Sequence, residues 1–486
     1  MIRAVPSPFF EAAPRTRTVD RRLLLVSYCF PPDTTVGALR WQKFSRYALE
    51  YGFGLDVLTL DPSCLKRADW SRLSDLAPGT RVFGVPAPAP LLNRLETAAW
   101  RTYRAIRPAR RSPPQSWLET TGTASARSRP DTVDRDELSW IPRSGRDVMR
   151  GYFACADLSF YGQWAGNAAR TGVALSRAAR YDAVVTSGPP HLTHEAGERI
   201  SAQTGLPFVA DLRDPWSLTL RLPESIASPI TLSVARRHER RVLHRASLIV
   251  ANTPALMAGL AKLYPDLSGR MVAVRNGADD DPIPPTRHNQ TFTIAFGGTV
   301  YFERDPRLLM RGLGRVVREL GLGPEDIRLE LIGAFDGPNG LPVRAIAHEE
   351  GVDSFVHAGP GRTHREALEF FAGATMLVTF PGYNSRLTIP AKLFEYVRFD
   401  AWVLALSEAE SPTADLLAGT NADVVAPGDV DGIAAAIGRR YRQHVSGVRP
   451  AALASDGRFS RREQAAALFQ AIERCLVDRP LEGRTN

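Results

Sequence analysis

The stretch Thr388-Ile-Pro-Ala-Lys-Leu-Phe-Glu-Tyr-Val397 brings together more usable chemistry than any other in this chain. It follows an apolar run, Met376-Leu-Val-Thr-Phe380, and a polar loop from Pro381 to Arg386, a pattern that reads as a strand leading into a helix. Thr388 is placed to cap that helix, and Pro390 suits its first turn, where no backbone N–H is needed. At helical spacing Leu393, Tyr396 and Val397 share one face, and Lys392 and Glu395 share another. A cation and a carboxylate at the mouth of a helix can hold a phosphorylated, hydroxyl-rich ligand. The helix N-terminus adds N–H groups and the positive end of its dipole. The same pair also reads as a surface ion pair of little energetic worth. Only Lys43, Lys66, Lys262 and Lys392 are lysines among 61 basic residues, so a lysine at this position hints at a need for a compact charge.

Four further stretches carry reactive side chains. Phe296-Gly-Gly-Thr-Val-Tyr-Phe-Glu-Arg-Asp-Pro306 sets Gly297, Gly298 and Thr299 after a strand, with Arg304 before the next helix. Bare backbone amides beside a guanidinium suit a diphosphate, although the spacing is neither that of a dinucleotide fingerprint nor that of a P-loop. Val209-Ala-Asp-Leu-Arg-Asp-Pro-Trp216 places Asp211, Arg213 and Asp214 at a strand end. Two carboxylates around an arginine can bind sugar hydroxyls or act as a base, and can equally form an ion pair that orders the loop. Ala183 to His194 is a strand whose turn carries His191 and His194, which can orient or deprotonate a hydroxyl or simply face solvent. Ser27 to Gly37 and then Arg40 form a strand-to-helix turn whose glycine lets amides approach an acceptor or phosphate group.

These residues need a scaffold. Residues 1–20 read as a flexible tail. From Arg21 short aliphatic runs alternate with longer amphipathic segments: strands at 23–26, 55–60, 81–85, 183–186, 207–210, 248–251 and 271–274, with a helix over 36–51. Residues 107–150 break that rhythm with Pro, Arg, Ser and Thr, and read as a long loop or disordered insertion. The stretch 276–290 mixes Gly, Pro and acidic residues without period and reads as a linker. A second series follows, with strands at 292–296, 328–332, 355–358, 376–379, 403–406 and 423–426. The fold class expected is α/β, with two Rossmann-like domains, 21–275 and 291–457, facing across a cleft that receives the ligand. Residues 458–486 are expected to form a C-terminal helix and tail able to pack on either domain.

Composition narrows the classes. At 486 residues the chain is long enough for two or three cores, and its 44% apolar and 23% charged content is that of a globular protein. A net charge of +9 suggests an anionic partner: nucleotide phosphates or an anionic membrane face. No aromatic-interleaved basic stripe marks a nucleic-acid binder. Cys29, Cys64, Cys155 and Cys475 are far apart and have no Cys/His ligand spacing, so neither a disulfide framework nor a zinc site is expected. A reducing cytoplasm fits that cysteine usage. No apolar h-region precedes Asp20 and no run is long enough for a membrane span.

Taken together the motifs resemble glycosyltransferases of the GT-B fold, specifically family 4, the "glycosyl transferases group 1" type. Tyr28-Cys-Phe-Pro-Pro is similar to that group's first-strand signature. Gly188-Pro-Pro-His and Asp211-Leu-Arg-Asp-Pro-Trp216 are similar to its acceptor-domain segments. Asn276-Gly277 sits at its usual interdomain position, and Gly297-Gly-Thr and Lys392-Leu-Phe-Glu-Tyr396 are similar to its donor-domain segments. The resemblance implies a UDP- or GDP-sugar donor bound by the C-terminal domain and a glycan or lipid-linked acceptor held by the N-terminal domain. It implies that Glu395 meets the ribose hydroxyls and that Arg304 and Lys392 meet the diphosphate. It implies retention of anomeric configuration, no metal and no other cofactor, with charge on the leaving group met by cations and backbone N–H groups. His194, Asp211 and Asp214 are then the catalytic candidates on the acceptor side. The chain departs from the pattern at Leu387, eight positions before Glu395, where many relatives carry a second glutamate; Asn384 or Ser385 can substitute in the sugar-side contact. The expected setting is bacterial surface or exopolysaccharide assembly in the cytoplasm, peripheral to the membrane. A sugar-nucleotide epimerase of the same fold and a non-catalytic binding subunit are the alternatives.

Overall fold

The computed structural model describes residues 6–13, 19, 21–88, 145–218, 229–287, 289–300, 304–333, 335, 342–381 and 385–477, without the side chains of 145–155 and 229–231. Most of the stretch read as an insertion, and Asn384, lie outside the described residues. The chain divides into two compact units: residues 1–112, 131–275 and 462–486 in the first, and 113–130 and 276–461 in the second.

Unit 1 is built on β1 (Phe10–Glu11), β2 (Arg21–Ser27), β3 (Phe53–Leu60), β4 (Arg81–Val85), β5 (Ala183–Gly188), β6 (Phe208–Leu212), β7 (Leu248–Ala251) and β8 (Met271–Ala273). They form one sheet in the order β1-β4-β3-β2-β5-β6-β7-β8, parallel except at β1. From β2 onward the first six follow the doubly wound order 3-2-1-4-5-6. Strand β2 shows why the aliphatic runs are continuous rather than alternating. Leu23 and Leu25 enter one core cluster and Leu24 and Val26 enter another, so both faces of the sheet are covered, as parallel sheets require.

One face is covered by the helix Leu39–Ala48 and by the C-terminal helix Arg461–Val477, whose Ala465, Leu468, Phe469 and Ile472 are fully buried in unit 1. Phe469 stacks on Phe53 at 5.7 Å and meets Trp41 at 6.5 Å. The other face is covered chiefly by the helices Gly145–Ala178, His194–Thr204, Pro229–Arg245 and Pro254–Leu263.

Unit 2 repeats the plan with β9 (Phe292–Gly297), β10 (Ile327–Gly333), β11 (Val356–Pro360), β12 (Met376–Thr379), β13 (Trp402–Leu406) and β14 (Asp423–Val425). The order β11-β10-β9-β12-β13-β14 is again 3-2-1-4-5-6, all parallel. The two topological switch points therefore fall between β2 and β5 in unit 1 and between β9 and β12 in unit 2. Open α/β sheets take ligands beyond the carboxyl ends of strands at such points.

Three expectations are corrected. The tail contains a strand: Phe9 donates its N–H to Val82 O and Ala12 to Thr80 O, both at 2.9 Å, so β1 closes the sheet edge. The stretch read as an insertion up to residue 150 ends earlier, because the helix Gly145–Ala178 has begun by then. The helix read from Thr388 is a single turn, Leu393–Tyr396, with Lys392 at its N-cap position and no side-chain cap. Pro390 still serves the turn, since its carbonyl accepts from Leu393 N–H at 3.0 Å.

Candidate functional site

Each unit carries its own cluster beyond the carboxyl ends of its strands. In unit 1 the cluster is knitted from strand ends far apart in sequence. The Arg40 guanidinium, on the helix after β2, donates twice to Asp211 Oδ1, at 3.2 and 2.9 Å, and to Oδ2 at 3.0 Å. Its remaining N–H groups reach Asn252 Oδ1 at 3.2 Å and Val274 O at 2.9 Å. Asp211 Oδ2 also accepts from Trp41 Nε1 at 2.8 Å and Ser187 Oγ at 3.0 Å. Asp211 is wholly inaccessible and Arg40 nearly so. A buried pair of this kind is tolerated because its hydrogen bonds are filled, and it leaves neither group for a ligand.

Arg213 ties two neighbouring loops to this frame. It donates to Gly37 O after β2 and to Pro189 O after β5, while its carbonyl accepts from Asn252 Nδ2 at 2.8 Å. A Cβ on Gly37 would sit 2.7 Å from the Arg213 guanidinium, so a larger residue there would push that guanidinium aside. His194 is fully buried, with Nδ1 2.8 Å from Thr186 Oγ1 and Nε2 against Gly188. His191 donates from Nε2 to Pro215 O at 3.1 Å and stacks on Trp216 at 5.3 Å. Burial keeps both histidines neutral, helped by Arg213; the pKa of His194 falls to about 3 and that of His191 well below its usual value. Asp214 differs: its residue reaches solvent, and it has no hydrogen-bond or ion-pair partner among the described residues. The loop still crowds its carboxyl enough to raise its pKa, with Arg213 and Arg40 pulling the other way.

In unit 2 the first strand ends at Gly297 and Gly298. Gly298 has φ 154°, and a Cβ on Gly333 at the end of β10 would lie 1.6 Å from the Gly298 carbonyl oxygen. Two strand ends meet there backbone to backbone, which only glycine allows. Gly297 N–H donates to the Tyr396 hydroxyl at 3.0 Å, so the turn after Lys392 is pinned to the glycine pair. Tyr396, Leu393 and Val397 are fully buried, as the shared face requires. Lys392 and Glu395 stand on the open side, their side chains 37% and 23% exposed, with Nζ 3.9 Å from Oε2. Lys392 Cε passes 3.3 Å from where a Gly298 Cβ would be, and Nζ lies over the Phe371 ring at 5.7 Å. Burial lowers the Lys392 pKa, Glu395 pulls it back up, and Arg304 pushes it down. Arg304 is therefore a near neighbour of Lys392, half-buried beyond the same glycines. His364 Nδ1 lies 3.5 Å from Glu395 Oε1. Thr299 is exposed and Ser385 half-buried.

Solved structures align with this chain over nearly its whole length. Sucrose-phosphate synthase from Thermosynechococcus elongatus aligns with a TM-score of 0.57 and 14% identity over 94% of this chain and all of its own. HepE of Anabaena in complex with UDP aligns with a TM-score of 0.53 and 12% identity, over 93% of this chain and 99% of its own. The UDP-forming α,α-trehalose-phosphate synthase from Burkholderia xenovorans, in complex with glucose 6-phosphate, gives 0.54 and 11% over 93% of this chain and all of its own. The fold is GT-B. No protein-family model matches the chain, and no curated protein matches it in sequence.

On the GT-B frame the predicted donor residues Gly297, Gly298, Arg304, Lys392 and Glu395 come together in unit 2. The acceptor-side set divides. Asp211 and His194, expected as catalytic, are corrected to supports, because neither reaches a surface. Arg40, expected to meet an acceptor or phosphate, is corrected likewise. Of the three catalytic candidates Asp214 alone faces outward. Sequence reading missed Asn252 and His364, and it offered Arg213 an ion pair that orders the loop where the structure gives it the carbonyls of Gly37 and Pro189; it placed Tyr396 on a shared face of its turn but did not foresee its hydroxyl contact with Gly297.

Proposed function

We propose that this chain is a glycosyltransferase that moves a sugar from a UDP- or GDP-sugar to a glycan or lipid-linked acceptor. The reading is carried by the unit 2 cluster, where Arg304 and Lys392 lie together beside a bare glycine pair and Glu395 is the adjoining carboxylate. Two cations held close, one of them with its charge disfavoured by burial and by the other, form a place that gains from an arriving anion. A nucleoside diphosphate supplies one. The HepE and trehalose-phosphate synthase complexes, with UDP and glucose 6-phosphate respectively, support a nucleotide-sugar donor and a sugar-type acceptor.

In the proposed reaction the bond from the anomeric carbon to the diphosphate breaks, and its electron pair stays on the diphosphate. A new bond forms from that carbon to an acceptor hydroxyl, whose proton passes to the departing diphosphate oxygen. Arg304 and Lys392 receive the developing charge, with Gly297, Gly298 and Thr299 as the backbone wall. Glu395 accepts from the ribose hydroxyls, Asn384 or Ser385 serves the sugar side, and Asp214 orients the acceptor. We assign the reaction as retaining, as the family resemblance implies, and as independent of metal, since Arg304 and Lys392 already meet the leaving charge, and we place it in bacterial surface or exopolysaccharide assembly at the cytoplasmic face of the membrane.

A thermal-shift panel of UDP-, GDP- and ADP-sugars tests the reading. A donor at about 100 times its Kd adds about 2.7 kcal/mol to the native state, an easily measured rise in Tm. Transfer to a glycan or lipid acceptor with the same donor should follow, undiminished by EDTA. No shift with any nucleotide sugar would remove the proposal.

A further inference from the structure

The helix Pro229–Arg245 has two unlike faces. Its inner face buries Val242 and Leu243 and presents Glu239, which accepts from Ser217 N–H at 2.8 Å, Ser217 Oγ at 2.7 Å and the Tyr264 hydroxyl at 2.9 Å. Its outer face carries Arg236, Arg237, Arg240, Arg241 and His244 around a shallow concavity. The nearby carboxylates are already spent. Glu195 is held by Arg199 at 2.8 Å, Arg241 at 2.9 Å and His238, and Glu198 by Arg241 at 2.9 Å. Asp266 is held by His244 at 3.1 Å. Arg236, Arg237 and Arg240 are exposed, and their guanidinium groups have no hydrogen bond or ion pair among the described residues. Elsewhere arginines are commonly matched, as Arg311 is by Glu350 and Arg439 and Arg440 are by Asp423.

We propose that this face docks on the surface of an anionic phospholipid bilayer. No apolar side chain stands exposed among Leu232 to Arg245, so the docking is electrostatic and peripheral, without insertion. No Phe, Tyr or Trp interleaves the arginines to stack on nucleic-acid bases. The inner face explains why a lipid surface suits the molecule. Through Ser217 the same helix holds the loop that bears Asp214, so docking would bring membrane-borne substrate to within about one helix diameter, roughly 10–12 Å, of that loop. The choice of a lipid over other polyanions rests on the acceptor reading; the docking surface itself does not.

Cosedimentation of the full chain with phosphatidylcholine vesicles, with and without phosphatidylglycerol, tests it. Binding should require the anionic lipid and fall as salt is raised. The triple variant Arg236→Gln/Arg237→Gln/Arg240→Gln should bind about fivefold more weakly per charge, on the order of 100-fold in all. The control Arg318→Gln/Arg344→Gln/Arg442→Gln removes equal charge from exposed positions of unit 2 and should bind nearly as wild type. Donor-induced rises in Tm should be the same in wild type and both variants, which separates this test from that of the donor site. If the triple variant melts early, Arg237→Gln alone is read for its fivefold loss. Equal loss in the control, equal binding to neutral vesicles, or retention of an oligonucleotide at a salt concentration that releases the vesicles would overturn the proposal.

Discussion

The two units share one strand order, yet the polar residues beyond their strand ends are put to opposite use. In unit 1 the Arg40 guanidinium is consumed within the protein, and Asp211 accepts from Arg40, Trp41 and Ser187 while fully buried. In unit 2 the charged groups are half-exposed and loosely matched, with Lys392 and Glu395 3.9 Å apart and His364 and Glu395 3.5 Å apart. The Arg40–Asp211 pair is filled by partners within the protein and so acts as a brace. The second set is half-exposed and open in geometry, which suits the receptor role proposed for it. Residue type alone does not separate the two cases; satisfaction does.

The largest expected effect tests the brace. Asp211→Asn leaves Arg40 buried without its counter-charge, a loss of about 3–5 kcal/mol by analogy with broken buried pairs. Denaturant unfolding followed by tryptophan fluorescence should show it, since Trp41 donates directly to Asp211. Lys392→Met in unit 2 should change stability by no more than about 0.5 kcal/mol, because burial already disfavours that charge. Similar losses in both variants would erase the contrast.

Next in size is Arg304→Ala. If unit 2 is the receptor, this change should slow turnover by about 100-fold or more while the Tm stays near wild type. Arg304→Lys should recover part of the rate, since it keeps the charge and loses the planar fork. Wild-type turnover in Arg304→Ala would take the diphosphate away from this cluster.

Acid should distinguish the units by a smaller amount. His194 titrates near 3 when folded and near 6.5 in an open chain, and the pKa of His191 is depressed in the same sense. The unfolded chain therefore binds protons that the folded unit does not. The stability this provides is full above about pH 6.5 and drains away as pH falls below it, by about 1.4 kcal/mol per pH unit for each such histidine. Urea midpoints measured between neutral and mildly acidic pH should fall more steeply for wild type than for His194→Gln. Parallel curves would mean that His194 is not held neutral.

Much of the fold was legible because a parallel sheet writes itself as aliphatic runs: Arg81–Val85, Leu248–Ala251 and Met376–Thr379 are strands at the bounds the runs suggest. The edge strand at Phe10 was not, since two residues pairing with Val82 and Arg81 leave no periodicity. The helix turn after Lys392 was overextended because Thr388 and Pro390 carry the local signs of a helix start, while the backbone begins its helical bonds later. The donor-side residues were legible as motifs, each beside its own glycine or turn. The fate of Asp211 was not, because its partner Arg40 is 171 positions away and no local pattern encodes that pairing.

Glu395→Gln gives the smallest effect and the sharpest test, since it separates a ligand contact from a surface ion pair at one atom. The substitution keeps the size of the side chain and removes its charge. Among the described residues the Glu395 carboxylate has only long contacts, to Lys392 at 3.9 Å and His364 at 3.5 Å, both on side chains open to solvent. Such pairs contribute about 0–1 kcal/mol, so the Tm of the free protein should hardly move. Two ribose hydroxyls donating to a carboxylate make charge-assisted bonds worth about 1.5–3 kcal/mol each, and an amide keeps only part of that. Losing even one should weaken donor use by about tenfold. The loss should appear with nucleotide donors and not with the diphosphate alone, since inorganic diphosphate has no ribose and would meet Arg304 and Lys392 unchanged. A Tm loss in the free protein with donor use intact would instead make Glu395 a brace like Asp211.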